Sequence, residues 1–186
     1  IVSSQKGLKH VNHLIYSSIL TSDPTLKLFT PMENTDPLKA IGFPPSSCKL
    51  VSGSFVKGKN QFTRALVNGI LEIQGSENFD MAVPCSIGVW VKIRDFENYP
   101  PILPKGDDAW RVQMNVNGKR FHIGFGDNKQ FINSKKFVEL DKWYFMTFVA
   151  SKDSVKVYVN GELENEKALD SYNFNNDSTI MIGGNK

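Results

Sequence analysis

Between Glu139 and Glu166 the chain writes two β-hairpins back to back, and they leave few alternatives to a layered β structure. Trp143-Tyr144-Phe145-Met146-Thr147-Phe148-Val149-Ala150 is apolar at nearly every position. After Ser151–Ser154, the residues Val155, Val157 and Val159 alternate with Lys156 and Tyr158, the period of two that sends one set of side chains to a buried sheet face. Asn160-Gly161 then supplies the two positive-φ positions of a type I′ turn, so Val155–Val159 is predicted to pair with Glu162–Leu169. The strand over 143–150 is apolar on both faces and calls for cover on two sides. That places it in the middle of a β-sandwich.

The chain's 186 residues suit one domain with a substantial core and are too few for two comfortable ones. Hydrophobic residues at 40% and charged residues at 22% are globular values, and no apolar run reaches the length of a membrane span. A net charge of +3, with Lys and Arg scattered among acids, argues against a nucleic-acid partner. Two cysteines, Cys48 and Cys85, can make neither a disulfide scaffold nor a closed zinc site. Two buried thiols and a single bridge both remain open. The chain starts at Ile1 without a basic leader and apolar core, as a fragment of a longer product would.

Residues 1–24 read as a linker or docking arm, with Leu8, Val11, Leu14, Ile15 and Ile19 spaced for one amphipathic helix over Leu8–Leu20. His10 and His13 lie one helical turn apart without a third ligand nearby, which reads as surface. A short strand precedes Pro31, and Met32–Ser47 reads as a long surface loop. Lys49–Val56 is the next strand. Phe62–Ile73 holds a further pair with Asn68-Gly69 as its turn. Cys85–Ile93 follows, and then the clearest two-faced pattern: Trp110, Val112, Met114 and Val116 against Arg111, Gln113, Asn115 and Asn117. Across the tight turn Asn117-Gly118, Phe121, Ile123 and Phe125 answer with an apolar face while Arg120 and His122 point the other way. The expected product is a hairpin with a wet, polar outer surface. Thr179–Ile182 is the last strand.

Seven phrases, in this order, resemble the laminin G-like branch of the concanavalin A-like lectin and glucanase superfamily. They are Leu26–Phe29, Gly58–Leu66, Cys85–Lys92 (similar to F-T-I-x-x-W-V-K), Ile102–Gly106 (I-L-S-K-G), Leu140–Phe145 (G-x-W-H-H-V), Lys156–Leu163 (V-x-L-Y-V-D-G-x-L) and Ile182–Gly184 (I-G-G). The resemblance covers about residues 25–186 and extends to the lectin-like half of clostridial neurotoxin binding regions. It implies an all-β fold, an antiparallel β-sandwich jelly roll over 25–186. It also implies that Trp90 and Trp143 are core residues, and Trp110 shares a face with Val112 and Met114. The family's last strand, G-x-I-D-D-V-R-I-Y, has no counterpart after Gly184, so an unpaired sheet edge is expected.

Because the superfamily includes glucanases, catalysis has to be weighed. Retaining glycosidases need two carboxylates about 5 Å apart, and the enzyme branch carries them in E-x-D-x-x-E. Here Glu139-Leu140-Asp141-Lys142-Trp143-Tyr144 has Tyr in the last place, so no complete catalytic motif is present. No G-x-S-x-G, phosphate-cradling loop or H-E-x-x-H occurs either. Binding is the better reading. Sugars are held by aromatic faces and planar polar side chains, and Arg111, Gln113, Asn115, Arg120 and His122 are the candidate ligand-binding residues; a merely solvated sheet surface would share that pattern. Calcium, common in the superfamily, would use Asp107, Asp108 and Asp177, although turn chemistry accounts for the same residues.

The expectation is therefore a non-catalytic recognition module of a larger extracellular, cell-surface or virion protein. Its ligand would be a carbohydrate or a protein. The alternative is a structural or assembly domain of a phage or viral surface component, meeting a neighbouring chain through the N-terminal arm and the open sheet edge. A glycoside hydrolase ranks third.

Overall fold

The structure is a computed structural model that describes residues 28–30, 32–33, 36–39, 41–42, 47–61, 63–76, 82–96, 100–106, 108–115, 117–126, 130–169 and 174–184. The arm, with its predicted helix, lies outside these residues. Every regular element among those described is a strand. In chain order they are β1 Leu28–Phe29, β2 Ile41–Gly42, β3 Ser47–Leu50, β4 Ser54–Lys57, β5 Arg64–Val67, β6 Leu71–Gln74 and β7 Cys85–Lys92. They continue with β8 Pro101–Lys105, β9 Trp110–Asn115, β10 Arg120–Phe125, β11 Gln130–Asn133, β12 Trp143–Ala150, β13 Ser154–Val159, β14 Glu162–Ala168 and β15 Ile180–Ile182.

Two four-stranded antiparallel sheets make the sandwich, one ordered β11-β10-β9-β8 and the other β14-β13-β12-β7. The alternation read from the sequence decides their facing sides. Trp110, Val112, Met114, Phe121, Ile123 and Phe125 are buried from the first sheet; Tyr144, Met146, Phe148, Val155, Val157 and Val159 are buried from the second. Aromatic rings bridge the layers, with Phe121 edge-on to Tyr144 at 5.6 Å and Phe125 at 6.2 Å from Phe148. Phe174 closes this cluster, 6.1 Å from both Phe125 and Phe148. Such pairs add to the stability that burial of the rings already gives.

A three-stranded sheet, β15-β6-β3, extends the first layer. β15 lies beside β8, and the Gly183 N–H donates to the Ile102 carbonyl at 2.9 Å. The joint is held by a fully buried lysine: Lys105 Nζ donates to the carbonyls of Ser76, Asn176 and Ser178 at 3.2, 2.7 and 2.8 Å. Three acceptors satisfy the three donors of an ammonium group, which is the condition for burying one.

The turn at Asn160-Gly161 forms as expected, with φ of 54° and 86°. The Asn160 side chain also accepts from the Phe145 N–H at 2.9 Å, tying the turn to β12. Asn68-Gly69 is different. It does not join a pair of adjacent strands, because β5 pairs with β4 and β6 pairs with β3. These four strands form one long hairpin that bends where Gly69 crosses Gly53. A Cβ on Gly69 would lie 2.1 Å from the Ser52 carbonyl oxygen, so glycine is there for close approach. The expected loop over 32–47 likewise contains β2, which pairs with β1.

The tryptophans divide. Trp110 is core at 2% exposure, whereas Trp90 is 47% exposed and Trp143 half-buried, so the expected core role fails for Trp90. Trp90 stands on the outer side of β7, where its ring meets Phe145 at 5.0 Å. Only the inner side of β12 is deeply covered; Trp143, Phe145, Thr147 and Val149 on its outer side are half-buried. Cys48 and Cys85 are both unbridged thiols. Burial pushes each up to about 11, with Asp36 adding to the rise at Cys48, so neither is a thiolate at neutral pH. Among the described residues nothing pairs with β7 on the side away from β12.

Candidate functional site

The outer face of the β11-β10-β9-β8 sheet gathers all five candidate ligand-binding residues. Their arrangement follows from register. Phe131 pairs with Gly124 and Gly124 with Arg111; Asn133 pairs with His122 and His122 with Gln113; Arg120 pairs with Asn115. Cross-strand partners share a face, so these pairs form three rows across the sheet. Gly124 matters in the first row, since a Cβ there would lie 3.3 Å from Arg111 Nε. Its missing side chain leaves the strip of sheet on which the guanidinium lies.

The central residue is His122. Its Nδ1 is 2.9 Å from Asn133 Oδ1, and its ring is stacked on Phe131 with centroids 5.2 Å apart. Burial lowers its pKa below the ordinary histidine value, opposed by the Asn133 hydrogen bond and helped by the charge on Arg111. His122 is therefore neutral at pH 7 and offers a planar group with a fixed ring orientation.

Asn115 is partly committed, because its Oδ1 accepts from the Gly118 N–H at 3.0 Å within the β9–β10 turn. Lys119, at φ 48°, completes that reversal. Arg120 lies over the Phe137 ring, 4.7 Å from its centroid, and its Nε is buried without a hydrogen-bond partner.

Phe131 and Phe137 were missed in the sequence, and they are the exposed aromatics of this face at 49% and 61%. A signal for each existed. Phe131-Ile132 is an apolar pair within a strand, where neighbours point opposite ways, and Phe137-Val138 is a second adjacent apolar pair just beyond it. Ile132 and Val138 take the core, which turns the phenylalanines outward. Asn165 Nδ2 fixes the β11 edge by donating to the Asn133 carbonyl at 2.9 Å.

Of the three acids considered for calcium, Asp107 lies outside the described residues, while Asp108 and Asp177 are exposed. Their loops are neighbours: a Cβ on Gly106 would fall 2.4 Å from Ser178 Oγ, and Asn176 Nδ2 donates to the Lys105 carbonyl at 3.2 Å. The carbonyls of Asn176 and Ser178 face the Lys105 ammonium. Among the described residues no group of three or more His, Cys, Asp and Glu is gathered for a metal.

Glu139 and Asp141 sit exposed in the turn before β12. Glu139 is held by Lys142 at 2.7 Å, and Asp141 takes a φ of 59°. Tyr144, in the place of the third acid, is buried, and its hydroxyl accepts from the Glu139 N–H at 3.0 Å. The glucanase carboxylate pattern is thus converted into turn chemistry.

Comparison with known proteins agrees with this architecture. The fourth domain of AbnA, a GH43 extracellular arabinanase from Geobacillus stearothermophilus solved with arabinotriose, superposes with a TM-score of 0.65 at 14% identity. The match covers 86% of this chain and 84% of that one. The binding domain of botulinum neurotoxin serotype D gives 0.53 at 16% identity over 74% of this chain and 38% of its own. Botulinum neurotoxin type C, from a study of cell entry through two ganglioside molecules, gives 0.51 at 21% identity. That match covers 77% of this chain and 35% of the toxin chain. At these identities the likeness establishes the fold alone. No curated protein sequence matches the chain. The laminin G-like profile described as the concanavalin A-like lectin/glucanases superfamily matches residues 67–186, from the end of β5 through β15. That span holds both four-stranded sheets, and the chain belongs to the concanavalin A-like lectin/glucanases superfamily.

Proposed function

We propose that this domain is a non-catalytic carbohydrate-recognition module of a secreted or surface protein, and that the outer face of β9, β10 and β11 holds the sugar. The observation that carries this reading is the half-exposed Phe131 ring stacked on His122 in the midst of planar polar side chains. A pyranose presents an apolar C–H patch and a rim of hydroxyls. An exposed ring beside His, Gln and Arg answers both in one place. A merely solvated sheet surface gives no reason to expose two phenylalanines at one edge. The arabinotriose complex of the arabinanase domain and the gangliosides of the type C toxin are in keeping with a sugar ligand. A hydrolytic role is disfavoured by the exposed, lysine-paired Glu139.

The edge of β7, unpaired among the described residues, favours a second reading, an assembly domain that takes a strand from a neighbouring chain or from the N-terminal arm. Calcium held near Asp108 and Asp177 would belong to the loop rim, away from the sheet face.

A glycan array run with calcium, and again with a chelator, separates these readings. The wild type is expected to capture glycans in both conditions. Arg111→Ala with His122→Ala should lose capture while melting within a few degrees of wild type. Capture that disappears with the chelator would move the ligand to the rim. A blank array from folded protein would sink the sugar reading in favour of assembly.

A further inference from the structure

We infer that the saccharide taken by this face is acidic, its carboxylate received by the guanidinium of Arg120 with Arg111 as the second cation. The inference rests on the carbohydrate reading above and adds the charge of the ligand. Two arginines stand on the three rows, in the first and the third, with the neutral His122 row between them. No carboxylate stands on those rows among the described residues.

The acids on β14, the neighbouring strand, are already engaged. Glu162 pairs with Lys136 at 3.5 Å, Glu164 accepts from the Lys136 N–H at 2.6 Å, and Glu166 pairs with Lys156 at 3.4 Å. Arg120 has no ion-pair partner among the described residues, and its Nε is buried without an acceptor. The Nε is out of a ligand's reach, but the terminal N–H groups of a guanidinium suit a bidentate acceptor, and a sugar carboxylate supplies one. Its seat over Phe137 holds the guanidinium at the sheet edge, so part of the ordering cost of binding is met beforehand. The exposed rings of Phe131 and Phe137 then take the apolar side of the same sugar or of its neighbour.

The test is calorimetric titration of the wild-type domain with three acidic probes, each beside its methyl ester. The probes are an oligogalacturonide, a glucuronate-containing oligosaccharide and a sialylated trisaccharide. Esterification removes the charge and keeps the ring. At least one acid should bind tenfold or more tightly than its ester, and the gap should narrow as salt rises from about 0.05 M to about 0.5 M. Arg120→Gln should erase the gap, and Arg120→Lys should retain part of it. If acid and ester bind equally, or if only neutral oligosaccharides bind, the acidic assignment falls and the sugar face stands. If folded protein binds no acid, ester or neutral oligosaccharide, both fall. The ester comparison uses wild-type protein, so a variant that fails to fold does not blunt it.

Discussion

The two sheets share one core and turn very different faces outward. On the β9-β10-β11 side the outward residues are Arg, Gln, Asn and His, with phenylalanines only at the edge. On the β7-β12-β13 side they are Trp90, Phe145, Thr147, Val149 and Tyr158, relieved by lysines. Lys59 Nζ stands 3.9 Å above the Trp90 ring, and Lys92 lies 5.7 Å from Trp143. The first face offers directional hydrogen bonds with aromatic stacking beside them. The second offers apolar area whose best ring already carries a cation. Exposed aromatics therefore do not by themselves mark the site; what distinguishes Phe131 is the company of planar polar groups.

The largest expected effect is on what the faces have in common. Phe148→Ala removes the ring that meets both Phe125 and Phe174, and should cost about 3–5 kcal/mol in chemical denaturation. It should weaken both faces together. If ligand binding survived such a loss intact, the polar face would not depend on the shared core.

A smaller pair of substitutions separates the faces. Phe131→Ala should weaken glycan binding roughly tenfold, about 1.4 kcal/mol, with little change in melting. Trp90→Ala should do the reverse, lowering stability by about 1 kcal/mol through lost contact with Phe145 and leaving binding alone. Equal losses of binding from both variants would erase the distinction.

The finest effect is a pH dependence confined to one face. His122 is held below the pKa it has in the unfolded chain, so the stability it contributes is fully present above the unfolded value. That contribution is lost as pH falls through the folded value. Denaturant titrations from about pH 7.5 to about pH 5 should show wild type losing more stability than His122→Gln. Parallel curves would mean that the imidazole is not desolvated on the sheet.

Much of this was legible beforehand. Period-two alternation foretold the inner and outer sides of β9, β10 and β13, because a residue's face depends only on its place in the strand. Turn chemistry foretold Asn160-Gly161, and it foretold a reversal near Asn117-Gly118, which forms as a longer loop between Asn115 and Arg120 with Lys119, not Gly118, in the left-handed region. The same dipeptide misled at Asn68-Gly69, where the demand for glycine came from a second backbone segment distant in sequence. Trp90 misled for a related reason: its strand reads as inner on one side, yet nothing local says whether the other side is covered. Phe131 stayed hidden because β11 is only four residues long, too short for alternation to stand out, and Phe137 because it lies beyond that strand in no regular element. Their importance arises from contact with His122 and Arg120, which lie on a different strand.

Lys105 has a consequence in the chemistry of its own amine. With three carbonyls around it, the nitrogen is shut away from any reagent, while no other lysine is buried among the described residues. An acylating agent can reach it only after β8, β15 and the residues flanking them have come apart. Its rate of modification is therefore a clock for the opening of that joint, running inside a molecule whose other described amines react from the folded state.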